Sequence, residues 1–165
     1  MMPLSAQELN VAIGLPEGCG LVPFAPYHLA LMAEQYPDAA PDAASARNMA
    51  ESAAAGPAFT LMVHGRIGAV FGLVIPWPGM AEAWMLTTPA IKPIAVPFTY
   101  GARKFCDIAA QSLGLRRIQI HVQNTNDTFT DWARAAKFRF EGKCEAYRAD
   151  GGDVFLMARI YRRQP

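Results

Sequence analysis

A chain of 165 residues, 52% hydrophobic and 18% charged, has the composition of one compact globular domain. At that size it buries roughly 70% of the surface of its unfolded chain. The net charge of +1 comes with no basic block, so neither nucleic acid nor an anionic membrane has electrostatic support as a partner. Cys19, Cys106 and Cys144 form no C-x-x-C pair and no histidine spacing suited to zinc, which argues against a metal site and for reduced thiols in a cytoplasmic protein. Met1–Ser5 lacks the basic and apolar regions of a secretory peptide, and no apolar run approaches the ~20 residues of a membrane span.

Residues 1–20 read as an N-terminal arm: Ala6–Ile13 suits a short helix, but Gly14, Pro16, Gly18 and Gly20 break whatever follows. The domain proper is expected over 21–165. Leu21-Val22-Pro23-Phe24 predicts an edge strand, where proline is tolerated. A helix follows from about Pro26 to Tyr36, with Leu29, Met32, Ala33 and Tyr36 on one face and Pro37 as its stop. A second, Ala-rich helix spans Asp42 to Ala55 between an Asp N-cap and Gly56, with Met49 as its one large apolar anchor. Strands at Ala58–Val63 and Ile67–Ile75 pair through His64-Gly65-Arg66 as a hairpin. Gly68 and Gly72 on one face predict a bulge or a close backbone approach.

The next stretch is the organising unit: a strand at Glu82–Thr88, a Pro-rich turn, a helix over Pro97–Leu113 ended by Gly114, and a strand at Leu115–Gln123. A connection of that length makes the two strands parallel through a right-handed crossover. A ligand then belongs beyond their carboxyl ends, where the following helices begin. Ile118, Ile120 and Val122 face inward, while Arg117, Gln119, His121 and Gln123 share the other side. A last helix, Asn126–Ala136, carries a stripe of Phe129, Trp132, Ala133 and Ala136. Phe138–Tyr147 and Val154–Tyr161 close the sheet as a hairpin about Asp150-Gly151-Gly152. The order β-α-α-β-β-β-α-β-α-β-β predicts an α/β fold with a mixed sheet of six to seven strands and helices on both faces.

That order resembles the GNAT (Gcn5-related N-acetyltransferase) superfamily from about Leu21 to Ile160. The most specific parts are the hairpin VHGRIGAVFG, the strand-helix-strand run, and the segment NTNDTFTDWARAAKFRFEG. The resemblance implies acetyl-CoA as co-substrate, bound where the fourth and fifth strands splay. It puts the pantetheine arm on Leu86, Thr87 and Thr88, and the pyrophosphate on the turn Lys92–Pro97, with Lys92, Ala95 and Val96 nearest. Asn126 and Phe129 of the last helix complete the expected cofactor site. Two features depart from the family pattern. Its Arg/Gln-x-x-Gly-x-Gly/Ala turn is replaced by Lys92-Pro93-Ile94-Ala95-Val96-Pro97, whose prolines remove amide donors from an anion site. Ala133 stands where many members keep a tyrosine acid, and Lys137 replaces a helix-ending glycine.

The resemblance implies Glu82 as general base, since the family often keeps one on the fourth strand, with His121 on the polar face of the fifth strand as its reserve. Each also has a plain reading, Glu82 as a solvated carboxylate and His121 as a hydrogen-bonded surface histidine, and Asn126 is equally an N-cap. Two functional readings result. One is an acyl-CoA-dependent N-acyltransferase acting on a small-molecule or peptide amine, as a monomer or a homodimer. The other is a catalytically inactive GNAT-fold structural or interaction protein, similar to phage proteins with an eroded cofactor loop.

Overall fold

The computed structural model describes residues 4–125 and 127–162. Its elements are α1 (Ala6–Ile13), β1 (Cys19–Pro23), α2 (Tyr27–Gln35), α3 (Ala43–Ala54), β2 (Ala58–Val63), β3 (Arg66–Trp77), β4 (Met80–Thr87), α4 (Ala95–Leu113), β5 (Arg117–Gln123), α5 (Asp127–Ala135), β6 (Arg139–Cys144) and β7 (Val154–Ile160). The strands form one seven-stranded sheet in the order β1-β2-β3-β4-β5-β7-β6. All neighbouring pairs are antiparallel except β4 and β5, which run parallel as the long helical connection requires. The sheet is mixed and the class is α/β, as the order of elements predicts.

Two cores lie on opposite faces of the sheet. The larger joins alternate residues of β2–β5 and β7 to α1, α4 and α5, with Leu61, Leu73, Ile118 and Met157 almost wholly buried. Phe105 of α4 sits edge-on against Phe59 and Phe71, with ring centres 6.0 and 5.1 Å away. The smaller core puts Leu29 and Met32 of α2 against Ile67 and Val70, with Met49 of α3 at its margin. α3 buries no residue completely, which fits an Ala-rich helix covering the sheet rather than anchoring it.

Within the stretch expected as an arm, Ala6–Ile13 forms the short helix the sequence allows, α1, and Cys19 and Gly20 open β1. Ser5 caps α1 by accepting the Glu8 N–H at 3.2 Å, and Gly14 ends it with φ 67°. Leu9 and Ile13 enter the larger core, and Gly101 of α4 leaves room for Ile13, whose Cγ2 would lie 3.2 Å from a Cβ there. Asn10 then pairs with the outer edge of β1, accepting the Leu21 N–H at 2.7 Å and donating to its carbonyl at 2.8 Å. An exposed strand edge is thereby closed by an amide side chain. The interrupting glycines make the turn between the two elements rather than a free tail.

The hairpin between β2 and β3 turns on His64 and Gly65, both with positive φ, as a two-residue type I′ turn demands. Its register slips between Leu61 and Met62, so Gly68 is the extra residue of a bulge. Gly72 has no room for a side chain, with the Pro57 carbonyl oxygen 2.7 Å from the position of a Cβ. The last hairpin differs from its expected form. β6 stops at Cys144, and Ala146 turns the chain with φ 50°, so Tyr147 lies in a loop over 145–153 and not in a strand.

Two tests follow from this packing. Lys137 ends α5 with φ 73°, and the Phe138 N–H reaches back to the Ala133 carbonyl at 2.9 Å. Lys137→Gly relieves that left-handed strain and is expected to stabilise the fold by about 1 kcal/mol in denaturant titration. His28 is buried, and its Nδ1 accepts the Ala25 N–H at 3.1 Å beside the Thr60 hydroxyl at 2.8 Å. Burial pushes its pKa below the ordinary value. The unfolded chain therefore takes up a proton near pH 6.5 that the folded chain refuses, and stability falls as pH drops through the window below it. Between pH 7 and 5, the wild-type Tm should fall more steeply than that of His28→Asn, which keeps an acceptor but cannot titrate.

Candidate active site

β4 and β5 are joined at one end only. Met80, Ala81 and Glu82 pair with Arg117, Ile118 and Gln119, and no pairing extends beyond them. The junction is tied by the Gly79 carbonyl, which accepts the N–H groups of Arg116 at 2.7 Å and Arg117 at 3.1 Å. Past Glu82, β4 stays registered on β3 as far as Thr87, while β5 stays registered on β7 as far as Gln123. Ala83–Thr87 therefore offer an unpaired edge inside the sheet. A ligand bearing amide groups can add to that edge as a strand would.

Glu82 on β4 and His121 on β5, the two expected catalytic residues, are brought together by the fold. Glu82 Oε1 lies 2.8 Å from His121 Nδ1, where the V opens. Gln119 donates from Nε2 to Glu82 Oε2 at 3.4 Å and accepts from Arg117 Nε at 2.9 Å. Arg117 also forks onto Glu141, with one bond of 3.0 Å, and that hydrogen bond holds the Glu141 carboxyl below the usual carboxylate range. The His121 side chain is 15% exposed and that of Glu82 36%, so the pair is shielded yet reachable.

Sequence reasoning missed Tyr147. Its ring stacks on His121 with centres 4.5 Å apart and planes 17° from parallel, and its hydroxyl lies 3.4 Å from Nδ1. Burial, and then the negative charge of Glu82, push the phenol pKa up. The only trace in the sequence was an aromatic residue just before a Gly-rich turn. Glu141 was missed for a similar reason: it sits at a register slip between Phe140 and Gly142 that alternation does not reveal.

The expected cofactor residues fall into three groups. Leu86 and Thr87 lie on the paired stretch of β4 beside the V. Thr88 is buried at the shoulder: its hydroxyl donates to the Ile67 carbonyl at 2.6 Å and accepts the Ala90 N–H at 3.2 Å, starting a 3-10 turn over Pro89–Ile94. Lys92, Ala95 and Val96 are exposed where α4 begins. α4 starts at Ala95, two residues before the expected Pro97, because the 3-10 turn runs straight into it. The Ala95 N–H is spent on the Lys92 carbonyl and Pro97 has none, so the first turn of α4 is poor in donors for an anion. Phe129 is 45% exposed on α5, and Asn126 lies outside the described residues. Ala133, in the place of the family's tyrosine, is fully buried. Trp84 sits edge-on to Phe24 and Trp132 lies against Phe98, each indole N–H buried without a hydrogen-bond partner.

A seven-stranded sheet opened between parallel β4 and β5 is the fold of the GNAT N-acetyltransferases. RimL, the ribosomal L7/L12 alpha-N-protein acetyltransferase solved in complex with coenzyme A, superposes with a TM-score of 0.69 at 14% identity, over 90% of this chain and 97% of its own. The microcin C7 self-immunity acetyltransferase MccE, solved with acetyl-CoA and AMP, gives 0.68 at 13% identity over 88% and 94%. Ard1 from Thermoplasma volcanium gives 0.68 at 11% identity over 88% and 99%. No protein-family model matches the sequence, and no curated protein does. The chain has the GNAT fold with a sequence far from these structures. Among the described residues, no helix is long and apolar enough to cross a membrane.

Proposed function

We propose that this chain is an N-acyltransferase that moves an acetyl group from acetyl-CoA to a primary amine of a small molecule or peptide. The observation that carries this reading is the 2.8 Å contact between Glu82 and His121 at the open end of the splayed strands. A carboxylate on Nδ1 keeps the imidazole hydrogen there and leaves the Nε2 lone pair free to accept a proton. His121 is therefore the base and Glu82 its orienting carboxylate, the reverse of the ranking drawn from the sequence. The co-substrate supplies an activated thioester carbonyl. As the amine nitrogen bonds to that carbonyl carbon and the C–S bond breaks, His121 takes the proton that the nitrogen sheds, and Glu82 stabilises the resulting imidazolium. The unpaired edge of β4 holds amide groups of the pantetheine arm and turns a backbone N–H toward the thioester oxygen. Ala133 stands in the place of the usual tyrosine acid and has no proton to give, so the departing thiolate draws its proton from solvent or from His121.

The start of α4 favours a second reading, a GNAT-fold protein without catalysis. Its prolines and the inward-turned Ala95 amide leave little to hold a pyrophosphate, though Lys92 supplies one positive charge. Acetyl-CoA binding measures the difference between the two. The expected Kd is about 10⁻⁴ M or weaker by calorimetry. Sub-micromolar binding would show that this helix start cradles phosphate after all, and no binding at millimolar concentration would favour the second reading.

Catalysis is tested at the pair itself. His121→Gln and Glu82→Gln are each expected to lower kcat by about 10²–10⁴, with acetyl-CoA binding nearly unchanged. The double variant should be hardly worse than either single one, because residues acting as a unit are not additive. Full kcat in either single variant removes the pair from the mechanism.

A further inference from the structure

We propose that Tyr147 is the positioning residue for His121, holding the imidazole against Glu82 and closing one of its faces to water. The kinetic consequence rests on the acyltransferase reading; the geometry stands without it. The two rings are stacked nearly parallel, and the Tyr147 hydroxyl, 3.4 Å from Nδ1, is beyond the usual length of a strong hydrogen bond. It cannot take the in-plane Nδ1 hydrogen, which points to Glu82 at 2.8 Å. The contact is thus one of packing, and it fixes the torsion on which the Glu82 bond depends. His121 is left 15% exposed while Tyr147 itself is 52% exposed, so the tyrosine takes the solvent that would otherwise reach the imidazole.

The loop that carries Tyr147 is built to aim it. Ala146 turns the chain with φ 50°, and its N–H donates to Asp153 Oδ1 at 2.9 Å. Asp153 Oδ2 is held by Lys143 Nζ at 2.9 Å. Arg148 and Gly152 close the far end through a 2.9 Å backbone bond. The charged and titratable groups about the stack are Glu82 from β4, on His121, and Cys144 at the end of β6, acting on Tyr147, with the Arg117–Glu141 pair closed on itself beyond Gln119. With its pKa raised, the phenol stays neutral and adds no second negative charge beside Glu82. Glu82 alone therefore sets the imidazole tautomer.

The test is nitrogen-detected NMR of the His121 ring in the ligand-free full chain, together with steady-state kinetics. In wild type the ring should be a single tautomer with its hydrogen on Nδ1. Tyr147→Ala should convert it to a mixture of both tautomers and lower kcat about tenfold, with KM for acetyl-CoA unchanged. Tyr147→Phe, which keeps the stack, should restore both readouts. Asp153→Ala, which loosens the loop but keeps the tyrosine, should move the tautomer the same way by a smaller amount. The proposal is overturned if Tyr147→Ala leaves a single Nδ1–H tautomer, or if Tyr147→Phe loses as much as Tyr147→Ala. Should the wild type transfer no acetyl group, the acyltransferase reading fails while the tautomer measurement still decides the role of Tyr147.

Discussion

Everything at this site depends on β4 and β5 being parallel neighbours that pair for three residues and then part. The separation has identifiable causes. At its far end β4 is fastened to β3: the Thr88 N–H bonds to the Gly68 carbonyl at 2.9 Å, and the Thr88 hydroxyl to Ile67 at 2.6 Å, both at the bulge. β5 meanwhile follows β7 in unbroken register over all seven of its residues. Each strand thus belongs to a different half of the sheet, and right-handed twist carries the halves apart. Gly79 holds the apex closed, and its φ of 88° strains any residue with a side chain there.

The polar cluster is a consequence of that opening. Had pairing continued, Glu82 and His121 would sit on a plain sheet surface. At the junction, Glu82 bridges from one half to the other and meets a histidine whose own strand is turning away. Burial on one side and the Tyr147 ring on the other lower the local dielectric, which strengthens the carboxylate–imidazole bond relative to water. The neighbouring Arg117–Glu141 pair neutralises itself and leaves the field at His121 to Glu82.

The helix side of the cleft tells a different story. A 3-10 turn with Pro93 inside it, followed by Pro97 in the first turn of α4, gives a rigid entry to the helix at the expense of amide donors. Rigidity and anion binding compete for the same few N–H groups, and here rigidity has won. On the proposed acyltransferase reading, the strand edge, more than the helix start, would hold a pantetheine thioester.

Local chemistry written in the residues determined much of this protein. The Gly114 stop, the length of α4 and the alternation in Ile118–Gln123 sufficed for parallel strands, and the His64-Gly65 turn for a hairpin, because each depends on backbone preferences a few residues long. His121 was legible as a candidate because strand alternation puts it on a polar face, and Glu82 because the resemblance puts a general base on the fourth strand. Their meeting was not legible, nor was which of them would orient the other, since that depends on register between strands 39 residues apart in sequence. The Ala6–Ile13 helix was legible, but not its docking into the domain, because glycine and proline look alike in a tail and in a tight turn; only the packing of Leu9 and Ile13 on α4 distinguishes them. Tyr147 was invisible for the same reason. A loop's direction is set by one left-handed residue, Ala146, and one distant carboxylate, Asp153, and no period or motif records either, so tertiary structure alone decided what lies over the histidine.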